Sequence, residues 1–413
     1  MDALTRRRFL LASGVAGAAA LAGGSAVFGL HELLSKARAG AVDTSPKLVL
    51  VTLYGGNDGL NTLIPYADPA YHQARPELAY PPEAVLHLDD SLGLNPKLAG
   101  LKGLWDAKHL AIVRGVQYPN PSHSHFRSMD IWQSASPAAP VATGWIGRWL
   151  DGTKAPVEAA VSFEPVLPPV LAGRTRVGSC VSYRGLALPA WITKDVVAEL
   201  GRPQPGEPPM QARAASAFAD LISMADEVRK AGEVAGAPDD GTDAPATGTG
   251  GASALAAQLA LVARCVEAGV PTKVYSVSLG GFDTHAGERS GQEALLSQVD
   301  RALANFVTKM EQSAAGRRVT VVVYSEFGRR VRANGSAGTD HGTAGPVFVL
   351  GPSIVGGFYG EQPSLTDLDD GDLKATTDFR DVFGTVLASV LEADPAEYLD
   401  GYRANLLPLM PPD

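Results

Sequence analysis

KLVLVTLYGGND, Lys47–Asp58, is a nearly continuous apolar run that ends in a double-glycine turn and a carboxylate. Such a run, with little polar alternation, suits a strand buried on both faces, as in a mainly parallel sheet covered by helices. The glycines allow a sharp turn and a close approach to a ligand at the strand's end. Comparable runs recur at Leu110–Val116, Ala159–Phe163, Val274–Leu279, Val319–Tyr324 and Pro346–Leu350. Helical spacing fills the gaps at Asn95–Lys108, Gln211–Ala231, Ala252–Ala268, Arg289–Gln312 and Asp378–Glu392. In the last of these Phe379, Val382, Phe383, Val386, Leu387 and Val390 form one stripe. The alternation predicts an α/β fold built in layers.

An open α/β sheet presents its ligands at the carboxyl ends of its strands, and there this chain places its polar residues. Four of its eight histidines lie in such loops. Asp58 follows the first strand, placed either to ligate a cation or to bond its own backbone in an Asx turn. Asp283 and His285 follow Val274–Leu279; alternate residues of extended chain project together, so they could share one ion, or the aspartate could orient the histidine. Glu326 ends the strand Val319–Tyr324, free to reach a ligand or to pair with Arg329 or Arg330. Asp340 and His341 are adjacent and diverge in extended chain, which favours His341 as the ligand. His123 and His125 have the spacing that puts two imidazoles on one side of a segment. Ser122 and Ser124 are interleaved with them, and Arg127 follows. A helix starting near Phe126 would aim its amides at an anion, with Arg127 helping to hold phosphate or sulfate. A serine here becomes a nucleophile if a metal lowers its pKa; otherwise the group simply caps the helix. Carboxylates with imidazoles suit Zn, Mn, Fe or Mg better than a packed core.

The N-terminus reads as a targeting segment. Thr5-Arg6-Arg7-Arg8-Phe9-Leu10-Leu11 precedes a mildly apolar stretch from Leu10 to Leu30, and Ala37-Arg38-Ala39 offers a small-x-small cleavage site. The segment resembles a twin-arginine (Tat) export signal over residues 1–39, with Leu11 where a lysine often stands. The alternative is an uncleaved anchor, since about 20 residues span a bilayer. Removal leaves residues 40–413 as a single α/β domain in the periplasm or outside the cell, with the Tat translocase as its export partner and no stable membrane anchor. Net charge is −9, from 35 Lys+Arg against 44 Asp+Glu, which gives no electrostatic support for nucleic-acid binding. Cys180 and Cys265 are the only cysteines, either paired or separately buried, and carry no metal-binding spacing. Residues 165–209, rich in Pro, Gly and Arg, read as a cap or excursion beside the sheet, and residues 233–252 as a flexible low-complexity insertion.

Taken together, LVTLYGGNDGLNTLIPY, YPNPSHSHFRSMDIWQSA, TGWIGRWL, SLGGFDTHAG, VVVYSEFGRRVRANGSAGTDHGTAGPVFVLG and GGFYGE resemble the Tat-exported bacterial family catalogued as domain of unknown function 1501. That resemblance implies a fold similar to the alkaline phosphatase and sulfatase superfamily, a three-layer α/β/α sandwich with a mainly parallel sheet. It also implies hydrolysis of phosphate or sulfate esters, usually with one or two metal ions and a Ser, Thr or modified Cys nucleophile; for this chain the expectation is one or two divalent ions (Zn, Mn, Fe, Ca or Mg) and a metal-activated serine or water. Under it Asp58 resembles the acid after the first strand, and Ser122–His125 the nucleophile loop. Asp283 with His285 resembles the Asp/His ligands, Glu326 or Asp340 the next acid, and His341 the last histidine. The chain departs from that superfamily in having Asp-x-His where Asp-x-x-x-His is common, and in lacking a Cys-x-Pro-x-Arg motif.

The first function this suggests is an exported metal-dependent ester hydrolase acting on a small-molecule or polymeric ester. The second is a non-catalytic envelope protein that binds metal, a glycan or a partner on the same fold. A serine esterase with a Gly-x-Asn-Asp block is a third, weakened because no Gly-Asp-Ser occurs.

Overall fold

The computed structural model describes residue 33 and residues 43–164, 167–181 and 255–411. The export segment apart from residue 33, the helix expected at 211–231 and the insertion at 233–252 lie outside the described residues, as does most of 165–209.

Apart from short two-residue strands in two small separate sheets, the strands are β1 Lys47–Leu53, β2 Leu110–Gln117, β3 Ala160–Ser162, β4 Ser179–Cys180, β5 Val274–Leu279, β6 Val319–Tyr324, β7 Arg329–Ala333, β8 Thr339–His341, β9 Gly345–Leu350, β10 Gly357–Tyr359 and β11 Thr377–Asp378. Nine of them form one sheet in the order β10-β2-β9-β6-β1-β5-β3-β4, with β11 also paired to β2, while β7 and β8 make a separate hairpin. Strand β1 lies between β5 and β6, parallel to both, with Val51 opposite Val277 and Val323. Only β9 runs antiparallel in the nine-stranded sheet, between β2 and β6.

The main helices are α1 Ala99–Asp106, α2 His125–Ser134, α3 Trp145–Thr153, α4 Leu255–Glu267, α5 Glu288–Glu311 and α6 Phe379–Ser389. Alternate residues of β1 enter opposite cores. Val49, Val51 and Leu53 pack with α1, α4 and α5. Leu48 and Leu50 pack with α2, α3 and α6. Every residue of β1 is buried, which explains its continuous apolar pattern: both faces need apolar side chains, each worth about 1.5–3 kcal/mol on burial. The result is a three-layer α/β/α sandwich with a mixed, mostly parallel sheet.

Two local features bear on readings that the sequence left open. The described part of the segment expected to leave the sheet, residues 167–181, returns to it, because β4 pairs in parallel with β3 and extends its edge. Cys180 and Cys265 are both free, one half-buried and one buried, and burial pushes each thiol up to about 12. No helix among the described residues is long and apolar enough to cross a membrane.

Candidate metal centre

Strands β1, β5 and β6 release their chains at the same edge of the sheet, and the loops lock together there. Tyr54 donates its amide to Leu279, and Phe282 returns one to Tyr54. Gly55 has φ +115, and a Cβ on it would stand 2.5 Å from the Asp283 amide nitrogen, so only glycine lets the two loops touch.

On this edge the ligand atoms of His125, Asp283 and His341 lie within 4.8 Å of one another. His125 Nε2 is 3.4 Å from Asp283 Oδ2, and His341 Nε2 is 3.1 Å from Asp283 Oδ1. His285 Nε2 stands 2.9 Å from both Asp283 Oδ1 and His341 Nε2. His125 is the first residue of α2, whose N-cap is Ser124, and His341 ends β8 opposite Arg329.

Each inner imidazole is oriented through its other nitrogen. His125 Nδ1 donates to Glu326 Oε1 at 2.8 Å, and His341 Nδ1 donates to the His123 carbonyl at 2.8 Å; these partners assign the tautomers. Both Nε2 lone pairs therefore face the Asp283 carboxylate. His125 Nε2 is buried with no hydrogen-bond partner. Acceptors facing acceptors repel unless a cation lies among them, so this donor set fits a divalent ion, with nitrogen and oxygen ligands of the kind zinc, manganese or iron takes. Glu326 is buried and also accepts from the Gly55 amide and the Ser325 hydroxyl, which makes it a rigid orienting group.

The electrostatics match this arrangement. Burial opposes ionisation of Asp283, but the hydrogen bond from Arg329 and the Arg329 charge outweigh it and hold the carboxyl below its ordinary value. Burial also lowers the His341 pKa, favouring the neutral imidazole that a metal requires.

The remaining sequence candidates surround the centre or serve elsewhere. Asp340 is exposed, 3.7 Å from His285 Nδ1. His123 contributes its carbonyl, while its ring pairs with Asp372 at 2.7 Å. Ser124 accepts the Arg127 amide as the helix cap, and Ser122 accepts the Ser124 amide. Arg127 turns to Asp130 at 2.6 Å. Asp58 is not in the cluster: it is fully buried in an ion pair with Arg75 and caps the turn at Leu60.

A family described as "Protein of unknown function (DUF1501)" matches residues 111–409. The chain belongs to the DUF1501 family. Among solved structures it is similar to a protein in the alkaline phosphatase superfamily from Vibrio parahaemolyticus, at 8% identity and TM-score 0.36, covering 87% of this chain and 74% of that one. It is also similar to the C-terminal periplasmic domain of EcEptC from Escherichia coli, at 10% identity and TM-score 0.37, covering 88% and 90%. A third is the phosphonate monoester hydrolase SpPMH from Silicibacter pomeroyi, at 10% identity and TM-score 0.34, covering 88% and 78%. Comparison with curated proteins gives no match.

In this DUF1501 chain Arg329 ties several of the site's loops together, a role the sequence reading did not give it. Arg329 was a possible partner of Glu326, but Glu326 binds His125 and Arg329 binds Asp283 at 2.9 Å. The fully buried guanidinium also donates to the carbonyls of Gly55, Gly56, Phe282 and Thr339. Phe327, packed 4.9 Å from the rings of both His125 and His341, was likewise not singled out. The available signal was a cation and an aromatic immediately beyond a buried strand.

Two predictions arise here. Glu326→Gln keeps the shape but weakens the acceptor for His125 Nδ1–H. It should cost about 10–100-fold in metal affinity, read by competition with a chelator. The second concerns Glu288, buried behind the site beside Asp58 and Arg75. Burial, then the Asp58 charge, pushes it from its ordinary 4.5 up to about 9. The folded protein thus holds a proton the unfolded chain releases, so this contribution to stability is full below pH 4.5 and declines as pH rises toward 9. Glu288→Gln should remove that slope, and denaturant titrations at both ends of the window would show the variant gaining on the wild type as pH rises.

Proposed function

We propose that this DUF1501 protein is an exported metal-dependent hydrolase of phosphate or sulfate esters. The observation that carries the reading is the convergence of two oriented imidazole lone pairs on an ionised carboxylate, with a third imidazole beside them. His125, Asp283, His341 and His285 would hold one or two divalent ions. A bound ion would polarise the ester oxygens and acidify a serine or water. Glu326 and the His123 carbonyl accept the Nδ1 protons, which directs the Nε2 lone pairs to the metal side. The first turn of α2 offers backbone amides to an anionic ester, and Ser122 and Ser124 supply hydroxyls in the same loop. The arginine pair and cleavage site at the N-terminus support Tat export, with action in the periplasm or beyond.

The test combines elemental mass spectrometry on protein purified without affinity-tag nickel with a screen against phosphate and sulfate mono- and diesters. The expected result is one or two equivalents of a divalent metal, and turnover abolished by chelator and restored by that metal. Failure to take up metal on reconstitution would return the cluster to ion pairs of protonated histidines and sink the proposal. Metal uptake with no turnover on any ester would favour the non-catalytic binding protein instead.

A further inference from the structure

Asn334-Gly335 is the only Asn-Gly step in the chain, and it opens the turn between β7 and β8. The Asn334 carboxamide is a clamp. Its Nδ2 donates to the His285 carbonyl at 2.9 Å and to Asp340 Oδ1 at 3.2 Å. Its Oδ1 accepts from the amides of Ser336 and Gly338. The same turn grips the start of α5, where the Gly287 amide donates to Ser336 and the Glu288 amide to Ala337. Gly338 backs so closely onto His285 that a Cβ would lie 2.3 Å from its carbonyl oxygen. One carboxamide thus joins the loop of His285 to the strand of Asp340 and His341.

Gly335 is exposed, and a Cβ built on it would meet nothing within 4 Å. With no side chain to obstruct it, the amide nitrogen after Asn334 is the least hindered backbone nucleophile a protein offers to a neighbouring carboxamide.

We propose that Asn334 is a site of spontaneous deamidation, and that its conversion to aspartate or isoaspartate releases the His285 loop from the Asp340–His341 strand. The Gly335 nitrogen bonds to Asn334 Cγ, the bond from Cγ to Nδ2 breaks, and the nitrogen leaves as ammonia carrying the displaced proton. Water then opens the cyclic imide at either carbonyl, giving aspartyl or isoaspartyl product; water is consumed, ammonia is released, and no other reactant is needed. The product has no N–H to donate. Where an amide bonded Asp340, two carboxylates now face each other, and the His285 carbonyl loses its donor. The isoaspartyl product also lengthens the backbone by one methylene inside a tight turn. Deamidation itself is independent of the metal reading; its effect on metal affinity rests on His285 and His341 being ligands.

The experiment ages the full-length protein in mildly alkaline buffer and follows the Asn334 peptide by mass spectrometry, alongside Gly335→Ala and a synthetic peptide of the same sequence. Conversion at Asn334, slowed about tenfold in Gly335→Ala, is the expected result. An unmodified Asn334 after the peptide has fully converted, or equal rates in the two proteins, would overturn the proposal. Asn334→Asp tests the consequence in two ways. Its affinity for zinc, by chelator competition, should fall about tenfold. Hydrogen exchange at the Gly287 and Glu288 amides, which needs no metal, should quicken. Unchanged exchange would refute the release of the loop. Zinc binding absent from wild type and variant alike would instead count against the hydrolase reading alone.

Discussion

Asp283→Ala should abolish stoichiometric metal binding while leaving a folded protein. The carboxylate is the one group that both inner imidazoles face, and it supplies the negative charge that offsets a divalent ion. Hydrogen-bond partners one step removed from a metal are worth about 10–100-fold in affinity, so loss of this ligand should exceed about a hundredfold. The fold should survive because Arg329 retains four carbonyl acceptors from Gly55, Gly56, Phe282 and Thr339. Elemental analysis beside circular dichroism checks both halves. A variant that still carries a full equivalent of metal would remove Asp283 from the centre.

The second large effect is structural. Arg329→Met should destabilise the protein by about 3–5 kcal/mol, the range for breaking a buried charged network by removing one partner. The guanidinium is fully buried and joins three separated segments: Gly55-Gly56, Phe282-Asp283 and Thr339. Methionine fills part of the volume but leaves carbonyl oxygens without donors, each costing about 1–3 kcal/mol. Arg329→Lys should recover only part of the loss, because one ammonium cannot reproduce a fork that reaches several acceptors. Urea unfolding midpoints at unchanged slope would measure both. A midpoint near wild type for Arg329→Met would show that the loops hold together without the arginine.

The strands and helices were largely legible because their signals are local. Lys47–Leu53, Val274–Leu279 and Val319–Tyr324 form strands with the bounds the apolar runs predict. The C-terminal stripe from Phe379 to Leu387 does face one core, because spacing along a helix fixes which side chains share a face. Ligand assignment was less legible. Asp58 has the look of a ligand, an acid after a glycine turn, but Arg75 lies seventeen residues later, and nothing in the local pattern announces that the two meet in the interior. Glu326 and Arg329 are close in sequence, yet each bonds a group on a distant segment, His125 and Asp283. Asn334 carries no local signal for its role, because its side chain bridges two loops that meet only in the folded chain.

The sequence by itself determined a layered α/β chain whose polar residues collect where buried strands end, since periodicity and burial act over a few residues at a time. Only the tertiary structure decided which of those polar atoms meet. Hydrogen bonds at this edge are made between loops separated by tens to hundreds of residues, and their geometry depends on how the strands order in the sheet. That ordering places β1 between β5 and β6, brings His125 beside Asp283 and His341, and leaves Asp58 to a buried arginine.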